Sequence, residues 1–368
     1  MVEKASVSAV HDLDALRGFE SFTVRLHTII GQEGKEAFYV FDCLSDLLDA
    51  WATDGMIANF FRVTCPYLFE LNTLAYFALK RGAHSFATID GIRATTQLLI
   101  DLYNEGGVLY LHPLKVWQRS SPTMFLPHRH EAGQFTPITV SCEATSLFNR
   151  LLGGPSGNVE RHLDSWERLF IRASDLAASR AEDPDRQAMV AQLCRLLIGR
   201  DERILALARR SLTLEDLLGI KDRLIGTGFI GGKSVGMLLA RAILHSDAEG
   251  GWDGFLEPHD SFYIGSDLFH SYIVNNRWWQ LFMWQRSETG YLSGAAQLRE
   301  LILRGTFPVE IQREFQKMLE HFGQYPIIVR SSSLLEDGFG NAFAGKYDSF
   351  FCVNQGSPEE RLVQFVEA

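Results

Sequence analysis

The chain has no excess of positive charge: its 368 residues carry 45 acidic and 35 basic side chains, for a net charge of −10 at pH 7. This balance argues against a general nucleic-acid binder, which needs a basic face, but leaves room for a small basic pocket that holds a nucleotide. The sequence contains no run of eighteen or more apolar residues, and none of its N-terminal stretches has the layout of a signal peptide. We therefore expect a cytoplasmic protein without a nucleic-acid or membrane partner.

Paired cysteines are also missing from the sequence. Its five cysteines are scattered and form no Cys-x-x-Cys pair, and they are Cys43, Cys65, Cys142, Cys194 and Cys352. An odd number of cysteines without metal-type spacing indicates reduced thiols, rather than disulfides or a zinc site.

Strand-like and helix-like segments alternate over residues 1–140, which predicts an α/β domain with a mostly parallel sheet. The apolar patterns predict helices over 13–30, 44–51, 67–80 and 92–103, and strands over 37–41, 83–89 and 108–117.

The strand 37–41 ends in Asp42, and this segment resembles the Walker B strand of RecA-like ATPases, in particular the KaiC group. The resemblance implies that the acid supports Mg²⁺ and the attacking water. A later strand, ending near Lys115 and Arg119, is similar to another strand of that group. Because no Walker A loop precedes Asp42, the resemblance implies only the latter half of a RecA-like core. The alternative is that Asp42 simply caps the following helix.

Breaker residues at 153–157 precede a stretch of helix-forming residues that we interpret as a connector packing on a neighbour. We expect three parts in the chain, with bounds 1–140, 141–214 and 215–368. The last part starts near Thr213, whose spacing to Asp216 fits a capping box. Its patterns predict helices over 234–244, 272–284 and 308–322, and strands over 261–264, 327–329 and 349–353.

A glycine-rich loop opens directly into an apolar helix at Gly231-Gly232-Lys233-Ser234. Adjacent glycines let the backbone approach a ligand and turn its N–H groups inward, and a helix N-terminus favours phosphate. Lys233 adds a full positive charge. A Walker A loop would need a glycine where Thr227 stands. The loop alone leaves three possibilities open: an ATP site of another type, a P-loop ATPase, and an ordinary glycine turn with a solvated lysine.

A second phosphate-type motif lies far along the chain, where an apolar strand runs into Arg330 and the serines that follow it. An arginine at a strand end can hold phosphate oxygens with two parallel hydrogen bonds. Glu336 and Asp337 come next, and a glycine-containing loop over 338–345 could fold over a triphosphate. For a lone Arg-Ser-Ser-Ser, the ordinary alternative is a polar strand end.

Several motifs follow one another in a specific order over 215–368: Gly-Gly-Lys, Val-Arg-Ser-Ser, Glu-Asp and Phe-Ala-Gly-Lys-Tyr-Asp-Ser-Phe. This order resembles that of the N-terminal nucleotide-binding domain of pyruvate phosphate dikinase and phosphoenolpyruvate synthase. The domain is of the ATP-grasp type, and the rifampicin phosphotransferases share it. The resemblance implies ATP and Mg²⁺ as ligands. It also implies phosphoryl transfer from ATP to a histidine on a separate swivelling domain, and then to pyruvate or another acceptor.

The resemblance also implies roles for individual residues. Lys233 would contact phosphate, Arg330 would contact the γ-phosphate region, and both would serve catalysis. The mobile loop over the triphosphate would contain Phe343, Ala344 and Gly345. The other expected members of the ATP-binding set are Gly231, Gly232, Ser234, Ser331 and Ser332.

The family's Mg²⁺ carboxylates and adenine-binding strands belong to a second half of the fold that finds no match in this sequence. We therefore expect no identifiable metal ligands. We also expect a fragment, or one product of a split gene, that binds ATP weakly on its own. Besides the phosphotransferase, two functions stay open: a non-catalytic regulatory or interaction protein that kept a nucleotide-binding shape, and a P-loop ATPase.

Two further groups of side chains are weaker candidates. The His-Arg-His run at 128–130 lacks a further ligand at metal-binding spacing, so a surface turn after Pro127 is the expected structure. Three tryptophans lie at helical spacing, which favours packing in a core or domain interface over stacking on a base. They are Trp278, Trp279 and Trp284.

Overall fold

The computed structural model describes residues 7–34, 37–50, 53–151, 163–179, 184–247, 250–334, 336 and 347–368. The chain divides into two compact units, Met1–Trp166 and Glu167–Ala368. Each unit mixes helices with small sheets, so the α/β class expected from the sequence is confirmed at that level. The three-part division with bounds at 140 and 214 stays a prediction.

The first unit opens with a helix and a short parallel pair of strands. Its elements up to residue 95 are α1 (Phe19–Glu33), β1 (Phe38–Phe41), α2 (Asp54–Glu70), β2 (Leu74–Phe77) and α3 (Phe86–Thr95). β1 pairs in parallel with β2, and the rings of Phe41 and Phe77 stack with centroids 4.4 Å apart. The strand expected over 37–41 is thus confirmed, whereas the helix expected over 44–51 is a 3₁₀ helix, Leu44–Asp49.

The next two expected elements are wrong. The helix expected over 67–80 ends at Glu70, because Asn72 adopts a left-handed φ of 52° and the chain then extends into β2. The segment expected as a strand over 83–89 contains the start of α3. Ser85 caps this helix, and its Oγ accepts the N–H of Thr88 at 3.3 Å.

The rest of this unit contains an antiparallel four-stranded meander in place of the expected parallel sheet. Its strands are β3 (Leu98–Glu105), β4 (Val108–Val116), β5 (His128–Glu131) and β6 (Gln134–Pro137), and α4 (Ser141–Leu151) follows them. Gly106 and Gly107 both have positive φ, 60° and 83°, which is typical of the type I′ turn of a tight hairpin. The helix expected over 92–103 is therefore wrong beyond Thr95, where α3 ends, since the chain continues into β3. The strand expected over 108–117 is confirmed as β4. A RecA-like parallel sheet is not confirmed.

Ser45, Asp54 and His84 form a buried polar chain beside the carboxyl ends of β1 and β2. Ser45 Oγ lies 2.8 Å from His84 Nε2, and His84 Nδ1 lies 2.7 Å from Asp54 Oδ1. Ser45 Oγ also accepts the N–H of Lys80 at 2.8 Å, and Asp54 accepts the N–H of Ser85 at 3.0 Å. The side chains of Ser45, Asp54 and His84 are all buried. Their hydrogen bonds fasten the loops after β1 and β2 to the start of α2, and they do not present a nucleophile.

Four helices lead into the second unit: α5 (Ser165–Ala178), α6 (Pro184–Leu197), α7 (Glu202–Ser211) and α8 (Leu214–Asp222). The expected capping box of α8 is confirmed. Thr213 Oγ1 accepts the N–H of Asp216 at 3.1 Å, and the Asp216 carboxylate accepts the N–H of Thr213 at 2.8 Å.

The rest of the second unit alternates short strands with helices. Its elements are β7 (Leu224–Ile225), α9 (Gly232–Ser246), β8 (Tyr263–Ile264), α10 (Ser266–Asn275), α11 (Trp279–Trp284), α12 (Tyr291–Ile302), α13 (Val309–Phe322), β9 (Ile327–Arg330), β10 (Ser349–Cys352) and α14 (Pro358–Glu367). β7 pairs in parallel with β8, and β9 pairs antiparallel with β10. The helices and strands expected here are confirmed with small shifts in their bounds, apart from the helix 272–284.

The tryptophan-rich helix expected over 272–284 is two helices, α10 and α11. The helix is interrupted between them because Arg277 adopts a left-handed φ of 63°. Trp279 is buried, Trp278 is half-buried and Trp284 is 42% exposed. Packing is therefore confirmed for Trp279.

One apolar core connects β7, α10, α13 and α14, and its buried members are Ile225, Leu268, Phe315, Met318, Leu319 and Phe365. Ile327 and Val329 of β9 pack against the same core. The core thus fixes two strand ends in one body. The glycine loop leaves from the end of β7, and Arg330 stands at the end of β9.

Two expectations about the whole chain can also be compared with the structure. All five cysteines are unpaired, as expected from their spacing. Within the described part of the chain, no helix combines the length and the apolarity that a bilayer span requires.

Candidate functional site: a glycine loop and a serine turn

The loop between β7 and α9, residues 226–231, is fastened by two side chains at the start of α10. Ser266 Oγ accepts the N–H of Phe229 at 3.0 Å. Asp267 accepts both the N–H of Thr227, at 2.8 Å, and its hydroxyl, at 2.7 Å. Thr227, which breaks the Walker A pattern, is therefore the residue that anchors the loop. Burial raises the pKa of the Asp267 carboxyl to about 6, against the opposing effect of its bonds to Thr227.

Replacing Asp267 by Asn should remove a buried titration. The pKa of Asp267 in the folded chain is about 6, above its ordinary 3.8. Between these two pH values the folded chain keeps a proton that the unfolded chain has lost, so the wild type loses stability as the pH rises from 3.8 to about 6. We compare the free energy of unfolding of Asp267→Asn with that of the wild type, both measured in urea. The difference, variant minus wild type, should increase by about 2 kcal/mol from about pH 4 to pH 7. Asp222→Asn, at an exposed position, is the control. A difference between Asp267→Asn and wild type that stays constant with pH would contradict the raised pKa.

A turn after β9 caps the N-terminus of α9. We call residues 331–334 and 336 the serine turn. Ser332 Oγ accepts the N–H of Ser234 at 3.1 Å and lies 3.0 Å from the Ser234 hydroxyl. The carbonyl of Ser333 accepts the N–H of Gly232 at 3.1 Å. The two motifs of the sequence, the Gly-Gly-Lys-Ser loop and the Arg-Ser-Ser-Ser strand end, are therefore in direct contact.

Gly231 and Gly232 make this contact possible. Gly231 has a φ of 84°, and a Cβ on it would lie 1.4 Å from the carbonyl oxygen of Ser332. A Cβ on Gly232 would lie 2.0 Å from the carbonyl oxygen of Glu336. The sequence suggests that these glycines let a ligand approach the backbone, but in the structure it is the backbone of the serine turn that approaches them closely.

Lys233 and Glu336 form an ion pair where the loop and the serine turn meet. Lys233 Nζ lies 3.0 Å from Glu336 Oε1, and the side chains are 24% and 4% exposed respectively. The carboxylate also accepts the Ser331 hydroxyl at 3.1 Å and the N–H of Ser333 at 2.8 Å. Burial by itself would raise the pKa of Glu336, but the lysine and the other donors together hold it below its usual range. Our sequence reasoning missed Glu336 as a site residue, and the Glu-Asp step in the order of motifs was its one signal.

Arg330 is the last residue of β9, where it lies opposite Ser349 of β10. Its side chain is exposed and makes no ion pair with any residue that the structure describes. An exposed guanidinium beside the serine turn is available to an anion. The expected mobile loop with Phe343, Ala344 and Gly345 lies outside the described residues.

Asp42 and Lys115, singled out in the first unit, have local partners. Asp42 is exposed directly after β1, and its Oδ1 accepts the N–H of Cys43 at 2.8 Å. Lys115 donates to the backbone carbonyl of Arg93. The structure gives neither residue a contact that points to a nucleotide.

The His-Arg-His run at 128–130 lies in β5, so the expected surface turn is wrong. Each of its residues pairs with a residue of β6, across the hairpin that Ala132 and Gly133 close with positive φ. Arg129 also pairs with the carboxylates of Glu131 and Glu143. The run is therefore a structural part of the meander.

Comparison with known protein families supports the resemblance that rests on the order of motifs. Residues 227–367 match the family model of the pyruvate phosphate dikinase AMP/ATP-binding domain. This segment is therefore similar to the AMP/ATP-binding domain of that family, a similarity that the order of motifs predicts and that the glycine loop alone leaves open. The matched segment contains the glycine loop from Thr227 onward, the serine turn and Arg330. No curated protein and no solved structure gives a match.

Proposed function

We propose that this chain is the ATP-binding portion of a phosphotransferase that resembles phosphoenolpyruvate synthase and pyruvate phosphate dikinase. The family match over 227–367 carries the proposal. The contact between the glycine loop and the serine turn supports it, because it gathers a lysine, an exposed arginine and a helix N-terminus in one place. The proposed reaction is phosphoryl transfer from ATP to a histidine carrier, and then to pyruvate or another acceptor.

Lys233 and Arg330 are the proposed catalytic residues, the first as the phosphate-contacting cation and the second as the partner of the γ-phosphate region. Both would act by position and charge, since phosphoryl transfer spreads negative charge over the phosphate oxygens. The N–H groups of Gly232 and Ser234 are already bonded to the serine turn. The backbone N–H of Lys233 has no acceptor among the described residues, so Lys233 offers phosphate both an amide and an ammonium.

Magnesium accompanies ATP in proteins that catalyse this chemistry, and it would neutralise phosphate charge. Among the residues that the structure describes there is no group of three or more His, Cys, Asp or Glu side chains placed to hold a metal ion, so we assign no residue to magnesium. The buried carboxylate of Glu336 is engaged by three donors. The steps proposed for this chain are accordingly those of Lys233 and Arg330.

The proposal extends to organisation, partner and location. The parts would be a RecA-like segment without a Walker A loop (1–140), a helical connector (141–214) and the first part of an ATP-grasp domain (215–368). The parallel pairing of β1 with β2 supports the first assignment, and the antiparallel meander does not. A phosphohistidine domain or downstream polypeptide would receive the phosphoryl group. Five unpaired cysteines support a cytoplasmic location.

Arg330→Ala tests the proposed reaction. With a separately produced phosphohistidine domain of phosphoenolpyruvate synthase as acceptor, we expect the chain to transfer phosphate from radiolabelled ATP to a histidine. The label should be acid-labile and stable in alkali. Removing one charge-stabilising group should slow the transfer by about 100-fold or more. Arg304→Ala, at another exposed arginine, is the matched control.

The outcomes separate the function from the residue. A wild-type chain that does not label the carrier would contradict the proposed phosphotransfer. Equal rates for Arg330→Ala and Arg304→Ala would leave the reaction in place and remove Arg330 from it.

A further inference from the structure

The carboxylate of Glu336 is fixed independently of Lys233. Its Oε2 accepts the N–H of Ser333 at 2.8 Å, and its Oε1 accepts the hydroxyl of Ser331 at 3.1 Å. The backbone N–H of Glu336 donates to the carbonyl of Ser333 at 3.0 Å. All these partners belong to the serine turn, so the turn itself orients the carboxylate.

The Lys233 ammonium, in contrast, has one partner among the described residues, Glu336 Oε1 at 3.0 Å. A lysine side chain is a flexible four-carbon stem, and fixing it costs conformational entropy. Its ammonium carries three N–H donors, so the bond to Glu336 leaves two of them for an anion. With 24% of the side chain exposed, the ammonium can reach an incoming ligand while the glutamate holds it in place.

We propose that Glu336 is a positioning residue, which holds the Lys233 ammonium in the orientation that receives the phosphates of ATP. This inference rests on the proposed function for its ligand. In this role Glu336 acts through the lysine and not by contact with the substrate. Its negative charge is offset by Lys233 and by two hydrogen-bond donors of the serine turn, so it does not repel the phosphates as a bare carboxylate would.

Glu336→Gln separates positioning from folding. Glutamine keeps the length of the side chain and an oxygen that accepts the N–H of Ser333, and it loses the ion pair. We expect the Kd of ATP, measured by calorimetry, to rise roughly tenfold. In a Lys233→Met background the same change should alter the Kd less than about twofold, because the group it positions is gone. Glu310→Gln removes an exposed negative charge from α13 and is the matched control.

Two calorimetric results would overturn the proposal. The first is an unchanged or lower Kd for Glu336→Gln. The second is an equal loss of affinity in the wild-type and Lys233→Met backgrounds, since Glu336 would then act through the folding of the serine turn.

A second measurement does not depend on ATP. Acetylation of Lys233 by a succinimidyl ester, quantified by peptide mass spectrometry against Lys317 as internal reference, reports how firmly the ammonium is held. We expect Glu336→Gln to speed acetylation of Lys233 several-fold, and no increase would overturn the proposal even if ATP binds. Faster acetylation in a chain that does not bind ATP would contradict the proposed function, while showing that Glu336 holds Lys233.

Discussion

Gly231→Ala is expected to separate the glycine loop from the serine turn and to abolish ATP binding. Gly231 has φ 84° and ψ 164°, a conformation essentially restricted to glycine. The new Cβ would also lie 1.4 Å from the backbone carbonyl oxygen of Ser332, which cannot rotate away as a side chain could. Backbone strain and the displaced turn together should cost on the order of 3 kcal/mol or more in the free energy of unfolding.

Gly236→Ala is the matched control for this variant. Gly236 lies in the same helix, α9, and a Cβ there meets nothing within 4 Å. In an open helical position, alanine should stabilise the chain by about 0.5–1 kcal/mol and leave ATP binding intact. Urea unfolding and calorimetry of the two variants check the prediction. If Gly231→Ala matched Gly236→Ala in stability and ATP affinity, the close contact between loop and turn would be refuted.

Lys233→Met should lower the affinity for ATP roughly 10- to 100-fold. This range corresponds to losing a hydrogen bond to a charged group, worth about 1.5–3 kcal/mol. Methionine keeps much of the apolar stem, so the loss falls mainly on the ammonium. The variant also leaves the Glu336 carboxylate without its cation, and this destabilises the serine turn.

Two further variants isolate the effect of the lysine on binding. Lys233→Met combined with Glu336→Gln removes the unpaired buried carboxylate and should bind ATP as weakly as Lys233→Met does. Lys317→Met, at an exposed lysine of α13, should bind like the wild type. If the combined variant recovered wild-type affinity, the loss in Lys233→Met would come from the buried carboxylate and not from a missing phosphate contact.

The elements of the second unit could largely be predicted, because their apolar periodicity is unambiguous. α9 and α13 each present a continuous apolar stripe, and β9 is a short apolar run before an arginine. Periodicity does not predict that the segment at Lys233 contacts the turn after Arg330. That prediction came from the resemblance in motif order, and the structure puts the two motifs in contact.

The first unit was harder to predict because its apolar runs fit either a helix or a strand. The turns decide between them. Asn72 ends α2 with a positive φ, and Gly106 and Gly107 close a hairpin that converts an expected helix into β3. The contact of Glu336 with Lys233 could not be predicted for a different reason, although the Glu-Asp step in the order of motifs marks the position. Its partner Lys233 is distant in the sequence, and no local pattern encodes a contact between the first turn of α9 and the serine turn.

The central claim is that the Gly-Gly-Lys-Ser loop, the serine turn and Arg330 grip the phosphates of ATP. Calorimetric titration of ATP and of AMP into the wild-type chain and into Lys233→Met tests it most directly. The account predicts that the wild type binds ATP more tightly than AMP by about 10-fold or more, and that Lys233→Met removes most of this difference. Equal affinities for ATP and AMP in the wild type, or a difference that survives in Lys233→Met, would contradict it.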